Sequence, residues 1–177
     1  MKFRTIFPKQ KERAMDVSQV DFRKVLGRFA TGVTIVTTCD GERRLGITVN
    51  AFASVSLDPP LVLICLENTS YLHQVMLRNG FFAVNLLSED QEELSRCFAG
   101  HSEARRNFCD APSHTVVTGA PVLDHSLGWL DCRVANVFPG GDHSIIVGHV
   151  EALGASEGRP LLYHRGKYPH VADTFES

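Results

Sequence analysis

The chain reads as a mainly β domain with flanking helices, and three stretches carry that reading. Residues 46–57 alternate between apolar and short polar side chains, the period of an extended strand. Leu61, Val62, Leu63, Ile64, Cys65 and Leu66 follow as an unbroken apolar run, expected to be a strand buried on both faces. In the last third, two β-rich segments, 129–138 and 143–153, flank Pro139-Gly140-Gly141-Asp142, the composition of a hairpin turn.

Residues 1–17 lack an apolar run after their scattered basic residues, so they are expected to be a disordered extension and not a secretory signal. Met15 is a second candidate start, and residues 18–177 are expected to form one domain. Val20, Phe22, Val25, Leu26 and Phe29 recur at helical spacing after Ser18, a suitable N-cap, with Gly32 near the end. Residues 34–39 are rich in β-branched side chains, and Asp40-Gly41 supplies a turn. Asp58-Pro59-Pro60 should end the alternating strand, because proline has no N–H for the ladder. A helix over 70–79 stops at Gly80, a strand follows over 81–87, and Ser88 with Gln91 opens a second helix ending near Gly100. Residues 101–118 read as a surface loop holding Arg105 and Arg106, and 161–164 as a short closing strand.

The chain has 177 residues, is 44% hydrophobic and 21% charged, and carries a formal net charge of -2, ordinary values for a globular protein. With no basic excess, nucleic acid is not an expected partner, and no apolar run is long enough to span a membrane. Five cysteines, odd in number and without a C-x-x-C pair, are expected to be reduced thiols in the cytoplasm.

Missing motifs narrow the chemistry. The glycines at 27 and 32 have P-loop spacing, but Val33 stands where the phosphate-binding lysine belongs. No G-x-G-x-x-G marks a Rossmann site, and no G-x-S-x-G or H-E-x-x-H is present. His143 and His149 share a strand face but lie about 20 Å apart along it, too far for one metal, and no metal site is expected. The first positive signal is the face bearing Thr48, Asn50, Ser54 and Ser56. A solvated sheet face has the same period, yet a water-facing strand this long normally carries Lys, Glu or Arg. Short, uncharged hydroxyls and amides let a planar ligand approach the backbone and offer it hydrogen bonds.

Read together, Phe22-Arg-Lys-Val-Leu-Gly-Arg-Phe-Ala-Thr-Gly-Val-Thr34, Gly46-Ile-Thr-Val-Asn-Ala-Phe-Ala-Ser-Val-Ser-Leu-Asp-Pro-Pro60 and Phe82-Ala-Val-Asn-Leu-Leu-Ser88 resemble the flavin reductase family with the FMN-binding split β-barrel fold. Phe98-Ala-Gly100, Gly119-Ala-Pro-Val-Leu123, Gly141-Asp-His143, Gly148-His-Val150 and Pro160-Leu-Leu-Tyr163 continue the match in order, especially to reductase components of two-component aromatic monooxygenases.

The resemblance implies a homodimer of six-stranded barrels that takes FMN or FAD near the subunit interface. NADH or NADPH would donate the hydride, and the reduced flavin would pass to a flavin-dependent monooxygenase. It implies that Thr31, Gly32, Val33, Thr34, Thr48, Val49, Asn50 and Ala51 line the isoalloxazine and ribityl chain. Ser54, Val55 and Ser56 would follow the ribityl and phosphate, while Phe98, Gly100 and Arg105 would approach the outer phosphate or adenosine. His143 would sit beside the nicotinamide as the one catalytic candidate, with Tyr168 near the mouth. The rival readings are a split-barrel oxidase holding FMN tightly and a non-enzymatic flavin-binding module. The preferred flavin, the preferred dinucleotide and the partner oxygenase are left open by the sequence.

Overall fold

The computed structural model describes residues 17–100 and 107–170. The expected extension therefore lies outside the described residues except for Val17, as do Arg105 and Arg106.

In chain order the elements are α1 (Gln19–Leu26), β1 (Thr31–Gly32), β2 (Thr34–Asp40), β3 (Arg43–Val49), β4 (Phe52–Leu57), β5 (Pro60–Glu67), α2 (Tyr71–Asn79), β6 (Phe81–Leu86), α3 (Glu92–Ala99), β7 (Ser113–His114), β8 (Val122–Leu123), β9 (Gly128–Gly140), β10 (His143–Ala155) and β11 (Leu162–Tyr163). Seven strands form one antiparallel sheet in the order β3-β2-β6-β9-β10-β5-β4. Two small pairs, β1 with β11 and β7 with β8, lie apart from it. The mainly β class with flanking helices is as expected.

The main correction concerns residues 46–57. They do not form one strand: β3 ends at Val49 and β4 starts at Phe52, and these are the two opposite edges of the sheet. Only Asn50 and Ala51 join the edges, so the sheet must curl until they meet. The stretch supplies two strands where one was expected, which is why the main sheet has seven and not six.

Hydrogen bonds hold this corner. Thr34 Oγ1 donates to the Val49 carbonyl at 2.7 Å, Phe52 N–H reaches back to the Asn50 carbonyl at 3.0 Å, and Cys65 N–H donates to Ala51 at 3.0 Å. The bond from Phe52 to Asn50 is a three-residue turn, and it reverses the phase of the alternation. Before it, odd residues Ile47 and Val49 face the core; after it, Phe52 does. Ala53 instead pairs with Leu63 on the opposite face. A bulge at Val55, between the Ser54 and Ser56 pairings, breaks the phase again and leaves Val55 and Leu57 exposed.

The run 61–66 also departs from expectation. In β5, Val62, Ile64 and Leu66 are buried while Leu61, Leu63 and Cys65 are only half-buried, so one face is core and the other borders a cavity.

The core fills the curl with Val36, Val62, Ile64, Phe82, Val84, Cys132 and Ile146, closed by Leu72 and Met76 of α2. The chain leaves α2 through Gly80 at φ 75, the left-handed geometry that lets its N–H cap Met76. Ser88 and Gln91 form the expected capping box, which opens a short 3₁₀ turn leading into α3. α3 packs on β3, and Phe98 is fully buried edge-on to Phe108. A Cβ at Gly46 would strike the Phe98 ring, so glycine is required there. Phe98 is therefore a core residue, and its expected place beside a bound adenosine is corrected. The five cysteines are not all reduced: Cys97 at the end of α3 is bonded to Cys109, their Cα atoms 6.2 Å apart.

One polar chain fixes the β9–β10 hairpin turn. Asn68 N–H donates to the Asp142 carbonyl at 3.0 Å and its side-chain amide to Gly141 at 3.3 Å. Ser144 Oγ donates to Asn68 Oδ1 at 2.7 Å, which leaves the hydroxyl to accept from Nε2 of buried His73 at 3.0 Å. Burial lowers the His73 pKa below its ordinary value and keeps the ring neutral.

Two outcomes follow. Phe98→Ala is expected to destabilise the fold by about 3–5 kcal/mol, measured by urea unfolding. Because folded His73 binds its proton less readily than unfolded His73, stability is fully present above the ordinary histidine pKa of 6.5 and is lost as pH falls through the lower folded value. Melting temperatures taken from about pH 7 down to about pH 5 should fall, and fall less in His73→Gln.

Candidate active site

A cleft of about 760 Å³ opens on the outer face of the sheet at the corner. Its floor is the loop and strand from Ala30 to Thr34, its walls Asn50, Ala51, Phe52 and Ala53 on one side and Leu86, Leu87 and Leu161 on the other. Leu63 and Cys65 of β5 and Leu26 and Phe29 at the end of α1 complete it. Among the described residues, no charged side chain lines it. Burial pushes the Cys65 thiol up, so it presents a neutral S–H.

The polar groups here are few and mostly backbone. β1 pairs with β11, Thr31 opposite Tyr163, which fixes the peptide run from Ala30 to Val33 against the cleft. Thr31 Oγ1 is enclosed by protein and has no hydrogen-bond partner among the described residues. A flat heteroaromatic ring fits this cleft: apolar walls for its faces and the peptide groups of residues 30–33 for its edge. An isoalloxazine meets that description.

His143 stands at the rim. In the β10–β5 register it faces Glu67, while the next pair on the same face, Ile145 with Cys65, reaches the cleft. His143 is thus one same-face step, about 7 Å of strand, beyond the cleft wall. Its Nδ1 lies 2.7 Å from Asp142 Oδ1, and that hydrogen bond, with the attraction of the ring's charge, holds the Asp142 carboxyl below the usual carboxylate range. With Nδ1–H donating to the carboxylate, Nε2 is left free for a ligand. The turn that carries the pair is the one clamped by Asn68, Ser144 and His73.

Of the other residues implied by the resemblance, Thr31, Gly32, Val33, Thr34, Asn50 and Ala51 do line the cleft. Thr48 does not: its hydroxyl donates to the Ser95 carbonyl at 2.6 Å and ties β3 to α3. Val49 is core, and Ser54, Val55 and Ser56 lie along β4 beyond the cleft wall. Gly100 caps α3 next to the buried Phe98 and does not reach the cleft. Tyr168 packs edge-on to Tyr163 with ring centres 5.4 Å apart and shares a 2.9 Å hydrogen bond with Ser95, beside the cleft and not in its wall.

Sequence reasoning missed Leu26, Phe29, Leu63, Cys65, Leu86, Leu87 and Leu161, which look like any core residues in one dimension. One signal does stand in the sequence: Phe52 is apolar at a position where the alternation of residues 46–57 places Thr48, Asn50, Ser54 and Ser56, and it marks the corner.

Comparison with known proteins agrees with this geometry. The family model described as the flavin reductase like domain matches residues 26–172. The reductase subunit HsaB of a flavin-dependent monooxygenase from Mycobacterium tuberculosis is 40% identical over 160 residues, 87% of this chain and 84% of that one. The NADH-dependent FMN reductase AsuE2 of Streptomyces nodosus subsp. asukaensis is 36% identical, over 92% of this chain and 90% of that one. The structure of the NADH:FAD oxidoreductase SgcE6 from Streptomyces globisporus, in complex with NAD and FAD fragments, superposes with a TM-score of 0.83 at 34% identity, covering 89% of this chain and 95% of that one. A cleft shaped for a flat, uncharged ring, a histidine at its rim and a match over nearly the whole described fold together place the chain in the flavin reductase family.

Proposed function

We propose that this protein reduces free FMN or FAD with NADH or NADPH and releases the reduced flavin to a flavin-dependent monooxygenase. The chain is an oxidoreductase of its family, and the observation that carries the reading is the cleft itself. It has an apolar wall, and among the described residues it offers no acid–base pair. Hydride transfer from nicotinamide C4 to flavin N5 calls for two stacked rings at about 3–3.5 Å and little else from the protein.

Each group then has a task. The peptide groups of residues 30–33 orient the edge of the flavin ring. Leu63, Cys65 and Ala53 support one face and exclude water. His143, with Nδ1 committed to Asp142, directs Nε2 toward the nicotinamide carboxamide. The absence of a Rossmann fingerprint suits a dinucleotide that binds transiently over the flavin. The monooxygenase partner is supported by the relative named as the reductase subunit of such an enzyme. A nicotinamide donor supports a cytoplasmic location.

The homodimer is supported by α1. All eight of its residues are exposed in the single chain, and Phe22, Val25 and Leu26 form an apolar stripe with Phe29, which is 77% exposed. An eight-residue helix is unstable without a surface to pack on. A second copy of the chain supplies that surface.

Purified protein mixed with NADH and added FMN should oxidise NADH steadily, at a rate that depends on the free flavin. A yellow protein without turnover would favour the tight-binding or non-enzymatic readings. His143→Ala should lower kcat/KM for NADH by about 10- to 100-fold, the worth of one charge-assisted hydrogen bond, while wild-type KM and reduction rate would remove the residue from the mechanism. Phe22→Glu with Val25→Glu, neither of which lines the cleft, should convert a dimer to a monomer in light scattering.

A further inference from the structure

We propose that Cys97 and Cys109 are a peroxide-sensitive redox pair whose bond tightens the flavin cleft. The inference rests on the flavin reductase reading for the ligand and for the source of oxidant, but not for the bond.

The two cysteines are half-buried, Cys97 at the end of α3 and Cys109 in a turn, with Cα atoms 6.2 Å apart, within bridging distance. In the cytoplasm proposed above, a disulfide is more often a redox sensor than a permanent staple. Burial pushes the thiols of Cys39, Cys65 and Cys132 up, the last to about 12, which leaves them poor in the reactive thiolate.

The turn is the independent observation. Phe108, Cys109 and Asp110 all lie in the left-handed region, at φ 58°, 52° and 51°. Three side-chain-bearing residues in that region are unfavourable and persist only where their surroundings impose them. The turn's own backbone bonds are local, Asp110 N–H to the Asn107 carbonyl at 3.2 Å and Ala111 N–H to the Phe108 carbonyl at 3.0 Å. From outside, Phe98 meets Phe108 edge-on with ring centres 5.2 Å apart, and the Arg44 guanidinium lies 4.7 Å over the Phe108 ring. The disulfide adds the covalent tie that locks the turn to α3.

The locked turn backs the cleft. Phe98 and Phe108 share one buried cluster with Val33, Leu87 and Leu161, and Cys109 packs against it. Those three aliphatic residues line the cleft and bond to one another in a ring. Val33 N–H donates to Leu161 at 3.1 Å, Leu161 N–H to Leu87 at 2.9 Å and Leu87 N–H to Val33 at 3.0 Å. With the disulfide broken, the turn is free to leave the left-handed region, and the wall loses the packing behind it. The bonded form therefore holds flavin more tightly than the dithiol.

The oxidant follows from the activity, because reduced flavin that no oxygenase takes up gives hydrogen peroxide with dioxygen. One thiolate attacks peroxide, forming an S–O bond as the O–O bond breaks and hydroxide leaves. The second thiol attacks that sulfenic sulfur, forming the S–S bond as water leaves. In sum, two thiols give up two electrons and two protons, and one peroxide becomes two waters. A form that grips its flavin releases less of it reduced, so peroxide restrains its own source.

The full chain is treated with hydrogen peroxide and then catalase, or with a phosphine reductant, and its thiols and its FMN dissociation constant are measured. Three free thiols are expected after peroxide and five after reduction, with Cys97 and Cys109 joined in the peptide map. FMN should bind about 10-fold tighter in the oxidised form. Cys97→Ser with Cys109→Ser should keep the weaker affinity under both treatments. Cys65 remains in that variant, so a response through the cleft thiol would show there and overturn the assignment. Five thiols after peroxide overturn the pair, and equal FMN affinity in the two states overturns its coupling to the cleft. Loss of the folded circular dichroism signal on reduction also overturns the switch, since the bond is then purely structural. A wild type that binds no flavin in either state and oxidises no NADH overturns the functional reading along with the switch.

Discussion

The structure depends on a two-residue corner. Asn50 and Ala51 carry the chain from one edge of the seven-stranded sheet to the other, so the sheet has to close around its core. The bonds that hold the corner are backbone groups satisfied locally: Val49 by the Thr34 hydroxyl, Asn50 by Phe52 and Ala51 by Cys65. A ladder cannot pass through such a turn, and the gap it leaves in the sheet is where the cleft opens. The same turn reverses which residues face inward, sending Phe52 to the core and Ala53 with Leu63 to the side that borders the cleft.

That geometry explains why the site is built from so few reactive groups. A hydride passes between two rings whose own chemistry is sufficient, so the protein's part is a flat, dry surface and fixed peptide dipoles. His143, at the rim, is held by a turn whose backbone is bonded to Asn68 and, through Ser144, to buried His73. Precision at an exposed turn thus comes from a buried polar chain, a common way to fix a loop residue on a rigid scaffold.

The first helix serves two surfaces. Phe22 and Val25 face away from the cleft, and Leu26 and Phe29 edge it. Its packing is thereby coupled to the shape of the cleft, because no residue of the helix is buried in the single chain.

Local features were legible in one dimension wherever a single residue's conformational freedom decides the outcome. Gly80 stops a helix because it reaches the left-handed region, Ser88 and Gln91 start one by capping it, and Gly141-Asp142 makes a hairpin. The expected class, the hairpin carrying His143 and the part of the cleft wall from Thr31 to Thr34 with Asn50 and Ala51 follow from such signals and from the family resemblance they anchor. Other features were not legible. Phe98 lies next to a motif and is nonetheless core, since only the packing of α3 on β3 places it beneath Gly46. Cys97 meets Cys109 through the approach of a turn to the end of a helix, which spacing cannot show. Hydrophobic period and capping act over a few residues, so the sequence by itself determined the mainly β class, the helices and the hairpin. Which strands became the edges, and therefore where the cleft lies, is set by pairing between distant segments and was decided only in the tertiary structure.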